Sequence, residues 1–131
     1  MVKIVDYSYN KCKYMVIRGE AMKDRKLMGD LGEEFAAAML YSEGFTILER
    51  KFRCRLGEVD IICRRGNELD FVEVKARSSL DMGRPAEAVN QRKRMRIRGA
   101  ARYYVMCRGM EELDIRFRVF ELLVNQIEDA F

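Results

Sequence analysis

Apolar residues recur along this chain with two distinct periods. In EVDIICRR and ELDFVEVK they alternate with polar residues or run together, on either side of Gly66-Asn67. That pattern predicts two strands, at about 58–65 and 69–76, joined in a tight hairpin. FTILERKFR (45–53) and IRFRVFELLV (115–124) read as two further strands. Residues 30–43 carry the longer, helical period: Leu31, Phe35, Ala36, Met39 and Leu40 make one stripe, and Gly44 suits the stop. Asp30 suits the cap of this helix, with Glu33 three residues later completing a capping box. After the loop SSLDMGRP, Pro85 suits the first turn of a second helix that reaches about Cys107. Its inner stripe is Val89, Ile97, Ala100, Ala101, Tyr104 and Val105.

The order α-β-β-β-α-β predicts an α/β fold with a small mixed sheet flanked by helices. The third strand, the second helix and the last strand make one right-handed crossover between parallel strands. Residues 29–124 form this domain, 125–131 a C-terminal tail and 1–28 an N-terminal extension outside the plan. Within the extension, KYMVIRG reads as an edge strand or a dimer arm. Arg18-Gly19-Glu20 admits purine-rich codons just upstream of Met22, the look of a translated ribosome-binding site, so Met22 is expected to be the natural start. Mass spectrometry of the endogenous N-terminus tests this, and peptides from residues 1–21 would contradict it.

Composition narrows the class. A chain of 131 residues is the size of one domain, and such a domain buries roughly two-thirds of its unfolded surface. Charged residues are 35% and apolar ones 49%, with one proline, which describes a soluble globular chain and excludes disorder. No apolar run approaches roughly 18 residues and no signal-peptide core is present, so no membrane insertion is expected. Cys12, Cys54, Cys63 and Cys107 are scattered and there is no histidine, which excludes the common zinc patterns and fits reduced thiols in a cytoplasm.

The hairpin carries charge where a sheet resists it. Residues equidistant from the turn face each other, so Ile62 opposes Phe71, Asp60 opposes Glu73 and Glu58 opposes Lys75. Glu73 and Lys75 are two apart and share a face. Opposed side chains lie about 4.5–5.5 Å apart at Cβ, and two carboxylates that close repel unless a cation lies between them. For any one of these charges the simpler reading is a strand end emerging into water. Together, among Ile61, Ile62, Phe71, Val72 and Val74, they need partners or a metal. Asp60, Glu73 and a backbone carbonyl, that of Val74, suit magnesium or manganese. A lysine beside them orients or deprotonates a water, or offsets charge on a phosphoryl group.

QRKRMRIRGAAR (91–102) holds most of the positive excess of +4: Arg92, Lys93, Arg94, Arg96, Arg98 and Arg102, with no acid among them. Arg94, Arg98 and Arg102 fall on one face. Lys93 falls on the inward stripe and should point toward the sheet. Such a face is either a solvated helix surface with a snorkelling lysine or a binder of nucleic-acid phosphates. Nothing in it reads base edges, which favours a substrate chosen by structure. Tyr103 and Tyr104 read either as base-stacking groups or as core plus rim.

Asp60, then Glu73-Val74-Lys75 on the next strand, resembles the signature of the PD-(D/E)xK nuclease superfamily. GDLGEEFAAAML, GEVDIICR, FVEVKAR and the Pro-x-Glu-Ala-Val helix start look like the YraN family, small bacterial proteins related to archaeal Holliday-junction resolvases. The resemblance covers about residues 29–120. It implies a restriction-endonuclease-like core, αβββαβ, and a magnesium site. In that site Asp60 and Glu73 are metal ligands, Lys75 is the catalytic lysine, Glu33 is the helix acid and Lys93 is a further basic position. Three positions depart from the pattern: Val59 stands for proline, Lys51 for asparagine, and Arg118 follows Arg116-Phe117 where the family more often has aspartate. The expectation is a magnesium- or manganese-dependent endonuclease acting on DNA, branched or flapped, as a homodimer. The alternatives are a non-catalytic nucleic-acid-binding module working with a repair or recombination partner, and a structural dimer element.

Overall fold

The computed structural model describes residues 2–6, 11–15, 25–78 and 90–124. Six strands form one sheet: β1 (Val2–Asp6), β2 (Lys11–Met15), β3 (Thr46–Cys54), β4 (Gly57–Arg65), β5 (Glu68–Ser78) and β6 (Asp114–Val124). Their order across the sheet is β2-β1-β6-β5-β4-β3. Only β5 and β6 are parallel; every other neighbouring pair is antiparallel. Helix α1 (Arg25–Ser42) precedes β3, and helix α2 (Gln91–Arg108) connects β5 to β6. From α1 onward this is the αβββαβ order, and α2 is the crossover that the parallel pair requires. Strands β1 and β2, left outside the sequence plan, extend the sheet beyond β6. The expectations for Met22, for Pro85 and Val89 and for the tail 125–131 fall outside the described residues.

Both helices start elsewhere than the capping signals suggest. Helix α1 begins at Arg25, so Asp30 lies in its second turn and Asp30 with Glu33 forms no capping box. Asp30 instead pairs with Lys51 at 3.2 Å. Its C-terminus follows the sequence: Gly44 adopts φ +91°, its N–H bonds Tyr41 O and the Phe45 N–H reaches back to Leu40 O at 3.0 Å. Helix α2 begins at Gln91, six residues later than Pro85 suggests, because Asn90 is the cap: its Oδ1 accepts the Lys93 N–H at 2.9 Å.

The sheet is packed on both faces. On one lie Ala36 and Leu40 of α1 against Phe45, Ile61, Val72 and Phe120. On the other lie Ile97, Ala100 and Tyr104 of α2 against Val59, Ile62 and Phe71. Ile61, Ile62 and Cys63 are therefore consecutive and all fully buried, and each buried aliphatic side chain contributes roughly 1.5–3 kcal/mol. Gly57 sets how closely α2 approaches β4, since a Cβ there would lie 2.2 Å from the Arg96 carbonyl oxygen.

The edge strand β3 explains one departure from the family pattern. Its pairing with β4 shifts between Ile47 and Glu49, and Lys51 is the one described non-glycine residue with positive φ, 53°. Asparagine occupies that region several-fold more readily than lysine. Lys51→Asn is expected to stabilise the fold by about 0.5–1 kcal/mol, since the exposed pair with Asp30 that it loses contributes little. Urea denaturation checks this; a lower midpoint would contradict it.

Candidate metal and nucleic-acid site

Strands β4 and β5 part where the charges lie. The hairpin keeps the expected register, with Ile62 opposite Phe71, but its ladder runs only from Arg65–Glu68 to Ile61–Val72. Beyond it, the Asp60 side chain replaces the ladder: Oδ2 accepts the Val74 N–H at 2.8 Å. The expected Glu58–Lys75 pair does not form, and Glu58 faces Arg53 at 3.5 Å. Lys75 is instead in register with Glu121 of β6.

The parting leaves a cluster of opposite charges. The Glu73 side chain is only 6% exposed, and Asp60, bonded to the amide of the next residue, Val74, brings a second carboxylate charge to bear on it. The Lys93 ammonium sits directly against Glu73 Oε1, and Lys75 Nζ is 3.9 Å from the same oxygen. Burial, reinforced by the Asp60 charge, pushes the Glu73 carboxyl up to about 7 against the pull of Lys93. Burial and the neighbouring Lys93 lower the Lys75 pKa. For Lys93 burial works downward, but the Glu73 carboxylate outweighs it and the pKa rises. The two lysines of the cluster are thus shifted in opposite directions, Lys75 down and Lys93 up.

Glu33 comes to this cluster from α1. It is buried, and its Oε1 accepts from Arg50 Nε at 3.2 Å. Burial raises its pKa, Arg50 and Lys51 lower it, and Asp60 raises it. The capping role that competed for Glu33 is gone. Glu34 is exposed and pairs with the other side of Arg50 at 2.8 Å.

Among the described residues no three Asp, Glu or Cys side chains gather closely enough to hold a metal on their own. The donors offered are Asp60, Glu73 and the Val74 carbonyl. All are hard oxygens, which suits magnesium or manganese, and magnesium is commonly held by one or two carboxylates with several waters retained. The donor set fits a hard divalent ion, and the Lys93 ammonium on Glu73 marks where positive charge is required.

Helix α2 divides its cations. Lys93 turns inward to Glu73, as its place on the inner stripe predicts. Arg92, Arg94, Arg96, Arg98 and Arg102 are exposed, and among the described residues none of them faces a carboxylate. Arg108, at the end of the same helix, does, as do Arg50, Arg53, Arg65 and Arg118 elsewhere. The first turn of α2 contains no acid, so the arginines crowd the positive end of the helix dipole and cost stability there. A cleft of about 200 Å³ opens beside them, lined by Glu58, Arg92, Lys93 and Arg96. Tyr104 is 2% exposed and packs edge-on against Phe52 and Phe71, while Tyr103 is 47% exposed: core plus rim, as one of the two readings had it.

Three features are not found by motif reading. Arg50 bridges Glu33 and Glu34. Phe117 lies exposed on β6. Arg118 is buried and pairs with Asp70 at 3.0 Å, with Glu68 and Glu43 each at 3.5 Å. The departure at Arg118 is therefore a structural cation neutralising buried acids near the hairpin turn, away from Asp60 and Glu73. Asp70, within a run apolar on both faces, is the signal that could have found it.

The model of the Uncharacterised protein family UPF0102 matches residues 32–122. A UPF0102 protein of Clostridium acetobutylicum is 44% identical over 106 residues, covering 81% of this chain and 87% of that protein. One from Moorella thermoacetica is 44% identical over 104 residues, 79% of this chain and 87% of its own length. One from Clostridioides difficile is 41% identical over 113 residues, 82% and 99% respectively. The matched span begins inside α1 and ends inside β6, so it takes in both carboxylates, both lysines and the basic helix, and the chain belongs to the Uncharacterised protein family UPF0102.

Proposed function

We propose that the chain is a magnesium- or manganese-dependent endonuclease that hydrolyses phosphodiester bonds in branched or flapped DNA. The observation that carries this reading is buried Glu73 at the parted strand ends, with Asp60 on the adjoining Val74 amide and Lys75 and Lys93 against the Glu73 carboxylate. A pair of opposed carboxylates destabilises a sheet, so its presence calls for a function that uses it. When bound there, a hard divalent ion supplies charge stabilisation to the phosphoryl group and acidifies a water. Asp60, Glu73 and the Val74 carbonyl would hold the ion. Lys75, 3.9 Å from Glu73, orients the attacking water and offsets charge on the phosphoryl group. Lys93 then compensates Glu73, and Arg50 holds Glu33 beside Asp60. The exposed arginines of α2 that face no carboxylate among the described residues neutralise backbone phosphates and give affinity without base readout. Paired cuts in a four-way substrate need two such sites, hence a second copy of the chain.

A second reading has its own observation. No three carboxylates gather among the described residues, and a lysine already satisfies Glu73. A nucleic-acid-binding module that acts with a repair or recombination partner would look the same. Cleavage of linear, flapped and four-way DNA in magnesium and in manganese separates the two. The enzyme reading expects cleavage of a branched or flapped form, lost in chelator and reduced at least about 10²-fold by Lys75→Ala. Tight binding to the whole panel with no cut under any metal condition would favour the module.

A further inference from the structure

Helix α2 packs on β4 and β3, which leaves part of the sheet face over β5 and β6 without a covering helix among the described residues. Phe117 of β6 stands on that face, 48% exposed. What sets this ring apart from an ordinary exposed side chain is that contacts fix it. Its inner side stacks on Phe71, with ring centroids 5.8 Å apart and planes 29° from parallel. Phe71 is itself buried and held edge-on by Tyr104. The Arg98 guanidinium lies 6.0 Å from the Phe117 centroid. Arg94, Arg98 and Arg102 follow one another at i, i+4 on α2, so the arginine row runs along the rim of this shelf. Arg94 and Arg102 face no carboxylate among the described residues. Phe71 and Glu73 lie on the same face of β5, two residues apart, so the ring and the acidic pair are separated by about 7 Å along the strand. That is close to the spacing of successive nucleotides in an extended single strand.

We propose that Phe117 is a stacking platform for one unpaired base, with the Arg94–Arg98–Arg102 row holding the adjoining phosphates. A ring fixed from below, half exposed, and flanked by cations that face no carboxylate among the described residues matches what sequence-tolerant single-strand binding uses: a π-face for the base and positive charge for the backbone. A paired base is closed to this contact because its faces are occupied by its neighbours. The inference rests on the nucleic-acid reading above and names its substrate class as DNA with a single-stranded segment beside the cut.

The test measures binding by fluorescence anisotropy of labelled single-stranded, flapped and fully duplex DNA, in chelator so that no cleavage occurs. The proteins are the wild type, Phe117→Leu and Phe117→Tyr. Leucine keeps the apolar packing on Phe71 and removes the π-face, while tyrosine keeps both. Thermal melting identifies any variant that fails to fold. Phe117→Leu is expected to weaken single-stranded and flapped binding roughly tenfold while leaving duplex binding unchanged, and Phe117→Tyr to bind like the wild type. Equal losses on all three DNAs, or no loss on any, would overturn the platform while leaving the nuclease reading intact. Failure of the wild type to bind any DNA would overturn both.

Discussion

Glu73→Gln is expected to abolish DNA cleavage, by at least about 10³-fold in rate, with the fold retained. The substitution is nearly isosteric and removes only the charge. It takes away the buried half of the carboxylate pair, the one that Lys93 and Lys75 both face. Stability should change little: the buried carboxyl is pushed up to about 7 by desolvation and by Asp60, so ionising it is unfavourable in the folded state. The loss is therefore one of chemistry, visible as cleavage gone with the thermal transition unmoved. Glu34→Gln serves as the control, because that side chain is exposed and pairs with Arg50. A Glu73→Gln protein that cleaves within a few-fold of wild type would place the chemistry elsewhere.

The second large effect concerns stability. Arg118→Ala is expected to cost about 3–5 kcal/mol, the penalty for leaving a buried charge without its partner. Asp70 is fully buried and Arg118 is its cation at 3.0 Å, with Glu68 and Glu43 also within 3.5 Å. Acid should rescue the variant, and the sign follows from Asp70. Burial pushes its carboxyl from 3.8 up to about 7, against the pull of Arg118. A group with a raised folded pKa makes the folded state bind more protons than the unfolded one. Its destabilisation is complete above the folded value, declines as pH falls below it, and is gone below the unfolded value of 3.8. Removing Arg118 raises that pKa further, so the difference between variant and wild type that comes from Asp70 should narrow as pH falls toward about 7. Replacing both members with apolar or neutral residues, as in Asp70→Asn with Arg118→Met, should recover most of the loss. Urea titrations at three pH values measure all of this. A pH-independent difference would mean that Asp70 is not the group Arg118 serves.

The hairpin and its chemistry were the most legible parts of the sequence. Gly66-Asn67 fixed the register, and the inward place of Lys93 on a helical wheel led directly to its contact with Glu73. Helix starts were less legible because capping signals are local and tertiary packing overrides them. Asp30 has every mark of a cap, yet Met28 packs into the core ahead of it and draws the helix back to Arg25. Pro85 suits a first turn, but Asn90 supplies the hydrogen bond that starts α2. Strands β1 and β2 gave little periodicity to read, being five residues each. The sequence register sets Asp60 opposite Glu73, but the ladder ends at Ile61–Val72, and the bond of Asp60 to the Val74 amide beyond it is three-dimensional and has no sequence signature. Lys51 was visible as an oddity, and only its φ of 53° explains why asparagine suits the position.

The central claim is that Asp60 and Glu73 hold a divalent ion. Calorimetric titration with magnesium, and separately with manganese, tests it on the wild type, Asp60→Asn and Glu73→Gln. The expected result is binding by the wild type that is lost in both variants while all three remain folded. Heats that are equal in all three proteins, or absent in all three, would contradict a metal site at the parted strand ends.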